Sequence, residues 1–215
     1  MDFEAARSHM IENQIRPWEV LDPRVLDALA KVPREEFVPA SYRLLAFADT
    51  TLPLDHDEVM FKPVIDGRLL QALDLEAADD VLEIGTGSGF LTACIGHLAH
   101  SVTSIDIHAD LIDAARARLA KVGAHNARAE SGDLYAWNAG RTFDAILIGG
   151  AVATIPERVF DWLKPAGRLI AVHGQAPAQQ AVRMTRRGSA WHSESLFETD
   201  IPYLRGGEPK ARFVL

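Results

Sequence analysis

Three carboxylates lie at intervals along the chain that would let them bind one ligand between them. Glu83 lies two residues before the first glycine of a glycine-rich turn, and Asp106 and Asp133 each follow a later apolar run. A carboxylate at the tip of the neighbouring strand can accept hydrogen bonds from both ribose hydroxyls. One on the next strand along can accept from the exocyclic amine of adenine. Each acid alone would more often be solvated, but the three together favour a nucleoside site.

The glycine-rich turn indicates which nucleoside derivative to expect. The stretch DVLEIGTGSG (80–89) reads as a buried strand that breaks on three glycines, and a helix-compatible stretch follows at 90–98. Glycine adds no Cβ, so backbone N–H groups can approach a ligand closely. Dinucleotide sites use Gly-x-Gly-x-x-Gly and must hold a pyrophosphate, which Glu83 would repel. The pattern favours S-adenosylmethionine, with S-adenosylhomocysteine as product, and an NAD-type site is the main alternative.

The residues assigned to this donor site belong to three strand ends. They are Glu83, Gly85, Thr86, Gly87, Ser88, Gly89, Asp106, Ile107, Gly132, Asp133 and Leu134. For these to meet, their strands must be parallel neighbours with their carboxyl ends at one edge of a sheet.

The rest of the chain supplies the elements for such a sheet. Strands are expected at 127–131, 143–148 and 168–173, and helices at 64–73, 110–122 and 155–163. This alternation predicts an α/β fold with a doubly wound, mostly parallel, Rossmann-like sheet. We expect one domain over residues 1–215: a helical cap and substrate loop (1–75), a cofactor-binding core (76–175) and a C-terminal β region (176–215). Helices capped by Asp2 and Asp22 begin the cap, and a terminal antiparallel pair (191–199 and 210–215) closes the sheet.

Composition limits the partners. The net charge of −8 disfavours a nucleic-acid surface, because phosphate neutralisation requires clustered Lys and Arg. The one dense basic stretch, 183–187, reads as a solvated helix end. No apolar run reaches membrane-spanning length, the first residues do not resemble a secretory signal, and the single Cys94 fits a buried apolar position. We therefore expect a cytoplasmic protein with no membrane partner. The oligomeric state stays open.

The acidic stretch at 55–58, Asp-His-Asp-Glu, could be read as a metal site. Adjacent side chains of an extended segment point to opposite faces, so they cannot all reach one ion. We predict no metal and favour a loop over the cleft. His56 is the residue there that could act as a base towards a neutral acceptor.

Several segments together resemble one family, the protein-L-isoaspartate O-methyltransferases, a branch of the class I methyltransferases. They are PREEFVP (33–39), AFAD (46–49), LPL (52–54), VLEIGTGSGF (81–90), ID (105–106), GD (132–133), FDAI (143–146), IP (155–156), LKPAGRL (163–169) and RFV (212–214). The resemblance implies a methyltransferase fold, S-adenosylmethionine as donor, and methyl transfer to a carboxylate of damaged Asp in proteins or peptides.

One segment departs from the family pattern. In the family the Leu-Pro loop continues Ile-Gly-x-Gly-Gln-Thr-Ile-Ser-Gln-Pro, whose two hydroxyls lie beside donor and acceptor. Here it reads LDHDEVMFKP (54–63), so that Val59 replaces the Thr and Phe61 the Ser. We therefore take His56, Val59 and Phe61 as candidates for the acceptor side and assign no catalytic residue. Alternatives to damaged proteins are a small-molecule or different peptide acceptor, and a non-catalytic module that binds the donor.

Overall fold

The N-terminal third of the protein is mostly helices and short turns. The computed structural model describes residues 2–188 and 190–210. The helices are α1 (Phe3–Met10), α2 (Pro23–Lys31) and α3 (Pro63–Leu73), joined by a π-helical turn (Ile11–Ile15) and by 3-10 turns (Arg16–Trp18, Arg34–Glu36 and Ala40–Leu45). Both predicted caps are confirmed, since Asp2 accepts from two first-turn N–H groups of α1 and Asp22 accepts from Arg24 of α2.

A small antiparallel hairpin stands between these helices. Strands β1 (Leu52–Pro53) and β2 (Val59–Met60) pair with each other, and a 3-10 turn (Asp55–Asp57) joins them. We call residues 52–61 the acceptor hairpin. The predicted loop in this region therefore has regular pairing at its base.

In the described part of the chain, seven further strands form one sheet: β3 (Asp80–Ile84), β4 (Ser101–Asp106), β5 (Ala127–Ser131), β6 (Phe143–Val152), β7 (Leu163–His173), β8 (Gln179–Arg187) and β9 (Ala190–Thr199). Their order across the sheet is β5-β4-β3-β6-β7-β8-β9. The first five in this order are parallel, and β8 and β9 are antiparallel. The predicted doubly wound, mostly parallel sheet is confirmed. Its order reverses between β3 and β6, where open α/β sheets leave a crevice for ligands.

The two faces of the sheet are covered differently. Helices α4 (Phe90–Leu98) and α5 (Ala109–Lys121) follow β3 and β4, and one core cluster joins them to the N-terminal helices. The opposite face packs a second cluster, from Leu82 and Ile146 to Trp162, and no α-helix covers it in residues 132–162. The predicted helix at 155–163 is wrong, because only a 3-10 turn (Glu157–Trp162) forms and Leu163 already begins β7.

The C-terminal region also differs in detail from the prediction. The partner of β9 is β8, so the basic stretch 183–187 lies on a strand and not at a helix end. The predicted strand at 210–215 falls almost entirely outside the described residues. Residues 201–207, the C-terminal segment, run beside the end of β6, with Ala151 and Tyr203 forming a parallel bridge. None of the helices within the described ranges is long and apolar enough to cross a membrane.

Candidate active site

The glycine turn, residues 85–89, is fixed by backbone contacts to its neighbours. Gly85, Gly87 and Gly89 all have positive φ, at 98°, 50° and 86°. The N–H groups of Gly85 and Thr86 donate to the carbonyl of Ile105 on β4, at 2.7 and 3.2 Å. A Cβ at Gly85 would lie 3.2 Å from the carbonyl oxygen of Gly149 on β6. Backbone geometry and lack of space together require glycine there.

Asp106 ties the tip of β4 to this turn. Its carboxylate accepts from the N–H of Gly87 at 2.9 Å and from the N–H of His108 at 3.0 Å, and the side chain is almost completely buried. Each of its two oxygens thus holds one backbone N–H group. The carboxylate keeps unused lone pairs towards the crevice, where ribose hydroxyls could donate.

Glu83 lies at the inner end of the crevice. The side chain is fully buried, Thr92 donates to one carboxylate oxygen, and the other oxygen has no hydrogen-bond partner. Burial raises the pKa of Glu83 to about 7. A buried carboxylate oxygen without a partner is costly when ionised unless a ligand supplies a donor or a positive charge.

A second buried carboxylate, Asp66 of α3, shares this inner end. It pairs with Arg34, which is itself 1% exposed and also donates to the carbonyls of Ala46 and Phe61. Burial raises the pKa of Asp66 to about 6 despite the guanidinium beside it. Arg34 thus links α3 to the end of the acceptor hairpin.

Asp133 lies in the turn after β5. The N–H of Gly132 donates to the carbonyl of Asp106 at 2.9 Å, and Asp133 accepts from the N–H of Tyr135 at 2.9 Å. A Cβ at Gly132 would lie 2.7 Å from Cδ1 of Trp137, so glycine is required for this packing. The carboxylate is therefore held beside the crevice by its own turn.

Across the crevice, the acceptor hairpin presents an apolar wall. Val59 and Phe61 line the pocket, and Phe61 is 7% exposed. His56 does not line it: its ring stacks on His108 with centroids 4.0 Å apart, and its Nε2 lies 2.8 Å from Asp110. Within residues 2–188 and 190–210, no group of three or more His, Cys, Asp or Glu is placed to hold a metal.

One pocket collects the predicted donor residues. Ten of the eleven line it, and Gly89 is the exception because it packs against Ala115 of α5. Sequence reasoning missed further lining residues, among them Glu58, Asp66, Leu204 and Arg205. Leu204 reaches the pocket because Gly150, near the end of β6, leaves room for its side chain, and Arg205 is the next residue; the neighbouring Gly149 instead leaves room for the carbonyls of Ile84 and Gly85. That glycine pair was the available signal.

The charges of the pocket fit a cationic adenosine derivative. Five lining side chains are carboxylates, namely Glu58, Asp66, Glu83, Asp106 and Asp133, against one guanidinium, Arg205. This negative charge would repel a pyrophosphate, whereas it would attract the ammonium and sulfonium groups of S-adenosylmethionine. The unpartnered oxygen of Glu83 is an acceptor for such a cation. The residue roles in donor binding remain predictions.

Comparisons with known proteins agree with this geometry. A family model described as protein-L-isoaspartate(D-aspartate) O-methyltransferase matches residues 5–200. Proteins named protein-L-isoaspartate O-methyltransferase are similar to the chain: one from Rhodopseudomonas palustris is 40% identical over 93% of both chains, and one from Methylorubrum extorquens is 38% identical over 95% of this chain and 91% of its own.

Solved structures show the same fold. A Plasmodium falciparum chain described as a protein-L-isoaspartate O-methyltransferase, in complex with S-adenosyl-L-homocysteine, superposes with a TM-score of 0.80 at 19% identity, covering 92% of this chain and 97% of that one. Another protein-L-isoaspartate O-methyltransferase gives a TM-score of 0.78 at 22% identity, covering 92% and 65%. The family match and the identity over nearly the full length show that the chain belongs to the protein-L-isoaspartate(D-aspartate) O-methyltransferase family, whose members are enzymes that use S-adenosylmethionine.

Proposed function

We propose that the protein methylates the free carboxylate of isoaspartyl residues in damaged proteins or peptides. The observation that carries the proposal is the pocket in which an acidic donor half faces the acceptor hairpin, in a chain that matches this family over residues 5–200. We place the activity in the cytoplasm, where the buried, unpaired thiol of Cys94 is compatible with a reducing environment.

The donor half supplies three kinds of acceptor for S-adenosylmethionine. We assign the ribose hydroxyls to Asp106, the adenine edge to Asp133 and the ammonium group of the methionyl part to Glu83. The glycines of the turn carry no Cβ, so a ligand can approach this backbone closely, while the N–H groups of Gly85, Thr86 and Gly87 already donate to Ile105 and Asp106. These roles rest on the lining positions and hydrogen-bond capacities described above.

The acceptor half needs to position its substrate more than to activate it. The bound donor supplies an electrophilic methyl group, and the acceptor carboxylate is already ionised at neutral pH, so no strong general base is needed. Val59 and Phe61 form an apolar wall that excludes water from the reacting groups. Arg34 holds the carbonyl of Phe61 and thereby fixes the distance between this wall and α3.

The test is methyl transfer from labelled S-adenosylmethionine to a synthetic isoaspartyl peptide, with the same peptide carrying normal aspartate as control. We expect transfer to the isoaspartyl peptide alone. Binding of S-adenosylhomocysteine is measured in parallel by calorimetry. Normal binding without transfer to the isoaspartyl peptide would overturn the proposed acceptor. It would instead favour the second possibility that the altered loop suggests, a different acceptor.

A variant separates enzyme from contaminant in this assay. Asp106→Ala removes the carboxylate that holds the N–H groups of Gly87 and His108, so both donor binding and transfer should be lost. The matched control is Asp113→Ala, an exposed acid on α5 whose Arg116 partner lies one turn away. It should leave both measurements unchanged.

A further inference from the structure

The acceptor side of the pocket has little with which to bind an anion. The acceptor hairpin contributes Glu58, Val59, Met60 and Phe61 to the lining, and none of these side chains is a hydrogen-bond donor when Glu58 is ionised. The hydroxyls of Thr86 and Ser88 belong to the buried glycine turn, where Thr86 is engaged with Ser104 at 2.6 Å. Among the lining residues that the structure describes, Arg205 is the cation.

The backbone that carries Arg205 is firmly placed. The N–H of Ala151 donates to the carbonyl of Pro202 at 2.8 Å, and the N–H of Leu204 donates back to Ala151 at 2.9 Å. A further bond at 2.6 Å joins Ala153 to Gly207. These contacts fix the C-terminal segment against the end of β6. The position of Arg205 at the pocket therefore does not depend on a free loop.

The guanidinium of Arg205 has spare hydrogen-bonding capacity. One Nη2 donates to the carbonyl of His56 at 2.9 Å, and its Nε lies 3.8 Å from the carboxylate of Glu58. At the second distance the two groups form an ion pair but no hydrogen bond. Since a guanidinium carries five N–H groups in a planar fork, it can still engage a carboxylate in two parallel hydrogen bonds. The side chain is about half exposed, so an incoming group can reach it.

Glu58 competes for this guanidinium. It is partly buried, and burial together with the charge of Asp106 raises its pKa, against smaller opposing effects of His108 and Arg205. An ionised Glu58 partly neutralises Arg205 and repels an anionic acceptor. Removing the charge of Glu58 and removing that of Arg205 should therefore affect an anionic acceptor in opposite directions.

We propose that Arg205 binds the carboxylate of the methyl acceptor, displacing Glu58, and so takes over the anion-binding role for which the hairpin of this chain has no hydroxyls. This assignment rests on the proposed function and adds to it the residue that selects an anionic acceptor. It makes Arg205 a substrate-binding residue contributed by the C-terminal segment, about 145 residues away from the acceptor hairpin in sequence.

The experiment compares steady-state kinetics of the full chain on one synthetic isoaspartyl peptide. Arg205→Gln should raise KM for the peptide by about tenfold or more, with a smaller change in kcat, because a charge-assisted pair to the carboxylate is lost. Arg205→Lys keeps the charge without the planar fork of N–H groups, so its KM should lie between those of wild type and Arg205→Gln. Glu58→Gln should lower KM about threefold. The control Arg186→Gln, at an exposed residue near the end of β8, should match wild type.

Two further readouts separate substrate binding from support of the loop through His56. The affinity for S-adenosylhomocysteine should stay within about twofold in Arg205→Gln, and the rise of KM with added salt should be flatter than in wild type. An unchanged KM, or equal loss of donor and acceptor affinity, would overturn the assignment while leaving the proposed function intact. Absence of transfer by the wild-type protein overturns both.

Discussion

The glycine turn is fixed by backbone hydrogen bonds to β4, whereas the acceptor hairpin opposite it is held by side chains from distant segments. His56 reaches Asp110 at the start of α5, and Arg205 reaches the carbonyl of His56 from the C-terminal segment. Backbone hydrogen bonds inside a sheet tolerate little change, while exposed side-chain contacts contribute little each. A single substitution in the donor half should therefore cause a large loss of ligand affinity, whereas single substitutions in the acceptor half should each have a small effect.

The largest expected effect comes from Gly85→Ala. A side chain there has to adopt φ near 98° with its Cβ 3.2 Å from the oxygen of Gly149. We expect the donor Kd to rise by about 100-fold and the free energy of unfolding to fall by about 2 kcal/mol. Calorimetry with S-adenosylhomocysteine and urea unfolding measure the two changes.

The matched control for Gly85→Ala is Gly140→Ala. Gly140 also has a positive φ, of 62°, but nothing lies within 4 Å of an added Cβ. It should lose about 1 kcal/mol of stability to backbone strain and keep its donor affinity. Equal donor affinities in the two variants would contradict the view that the glycine turn is a tightly fitted ligand contact.

Glu83→Gln should have a smaller effect, a loss of donor affinity of about tenfold. Burial raises the pKa of Glu83 from 4.5 to about 7, so the folded protein binds this proton more tightly than the unfolded chain does. The stability from this group is fully present below pH 4.5 and is lost as pH rises through 7. A cationic ligand favours the ionised form, so donor affinity should instead improve between pH 6 and 8.

In Glu83→Gln the pH dependence of stability and that of donor affinity should both be reduced, leaving the part that Asp66 contributes. At pH 8 the donor should bind about tenfold more weakly than to wild type, because the charge is missing. Thr92→Val removes the hydroxyl that donates to Glu83. In this variant the rise of donor affinity with pH should occur at higher pH than in wild type. Parallel profiles for wild type and Glu83→Gln would show that Glu83 does not face the cation.

The same contrast explains how far the sequence could predict the site. The donor half follows from local patterns: β3, the glycine turn and α4 are contiguous, and Asp106 is the last residue of the next strand, β4. The acceptor half combines residues 52–61, 108–110 and 201–207, and no spacing rule brings these together. Arg205 was missed for this reason, and so was the pairing of Asp66 with Arg34.

The wrong helix at 155–163 has a different physical cause. Val159 and Trp162 are three residues apart and both face the core, which suits a 3-10 turn as well as an α-helix. Apolar spacing over one or two turns does not distinguish the two. Leu163 adds another apolar residue to the pattern, but it belongs to β7.

Val59→Thr is expected to raise the activity on an isoaspartyl peptide several-fold. Val59 is half-buried on the pocket wall, and Thr has nearly the same shape and adds a hydroxyl that can donate to an acceptor carboxylate. We expect kcat/KM for an isoaspartyl peptide to rise about threefold. A fall in kcat/KM at unchanged stability would argue that the apolar wall itself is required.

The accompanying change Phe61→Ser is expected to act mainly on stability. Phe61 is 7% exposed, and replacing it with Ser should cost about 3 kcal/mol through the cavity that it leaves. The double variant Val59→Thr with Phe61→Ser is therefore to be assayed well below its unfolding midpoint. Only then does its activity report on the restored hydroxyls.

The smallest effect should come from His56→Ala, which breaks the contact between the acceptor hairpin and α5. Both partners are exposed, His56 at 38% and Asp110 at 60%, so global stability should hardly change. The stacked ring of His108 loses its neighbour, and we expect amide hydrogen exchange at residues 55–58 to quicken about threefold. The control His97→Ala breaks a similarly exposed pair with Asp27, at 3.1 Å, remote from the pocket. If His97→Ala quickens exchange at 55–58 equally, the hairpin is not held by this local contact, and its difference from the glycine turn must arise from packing alone.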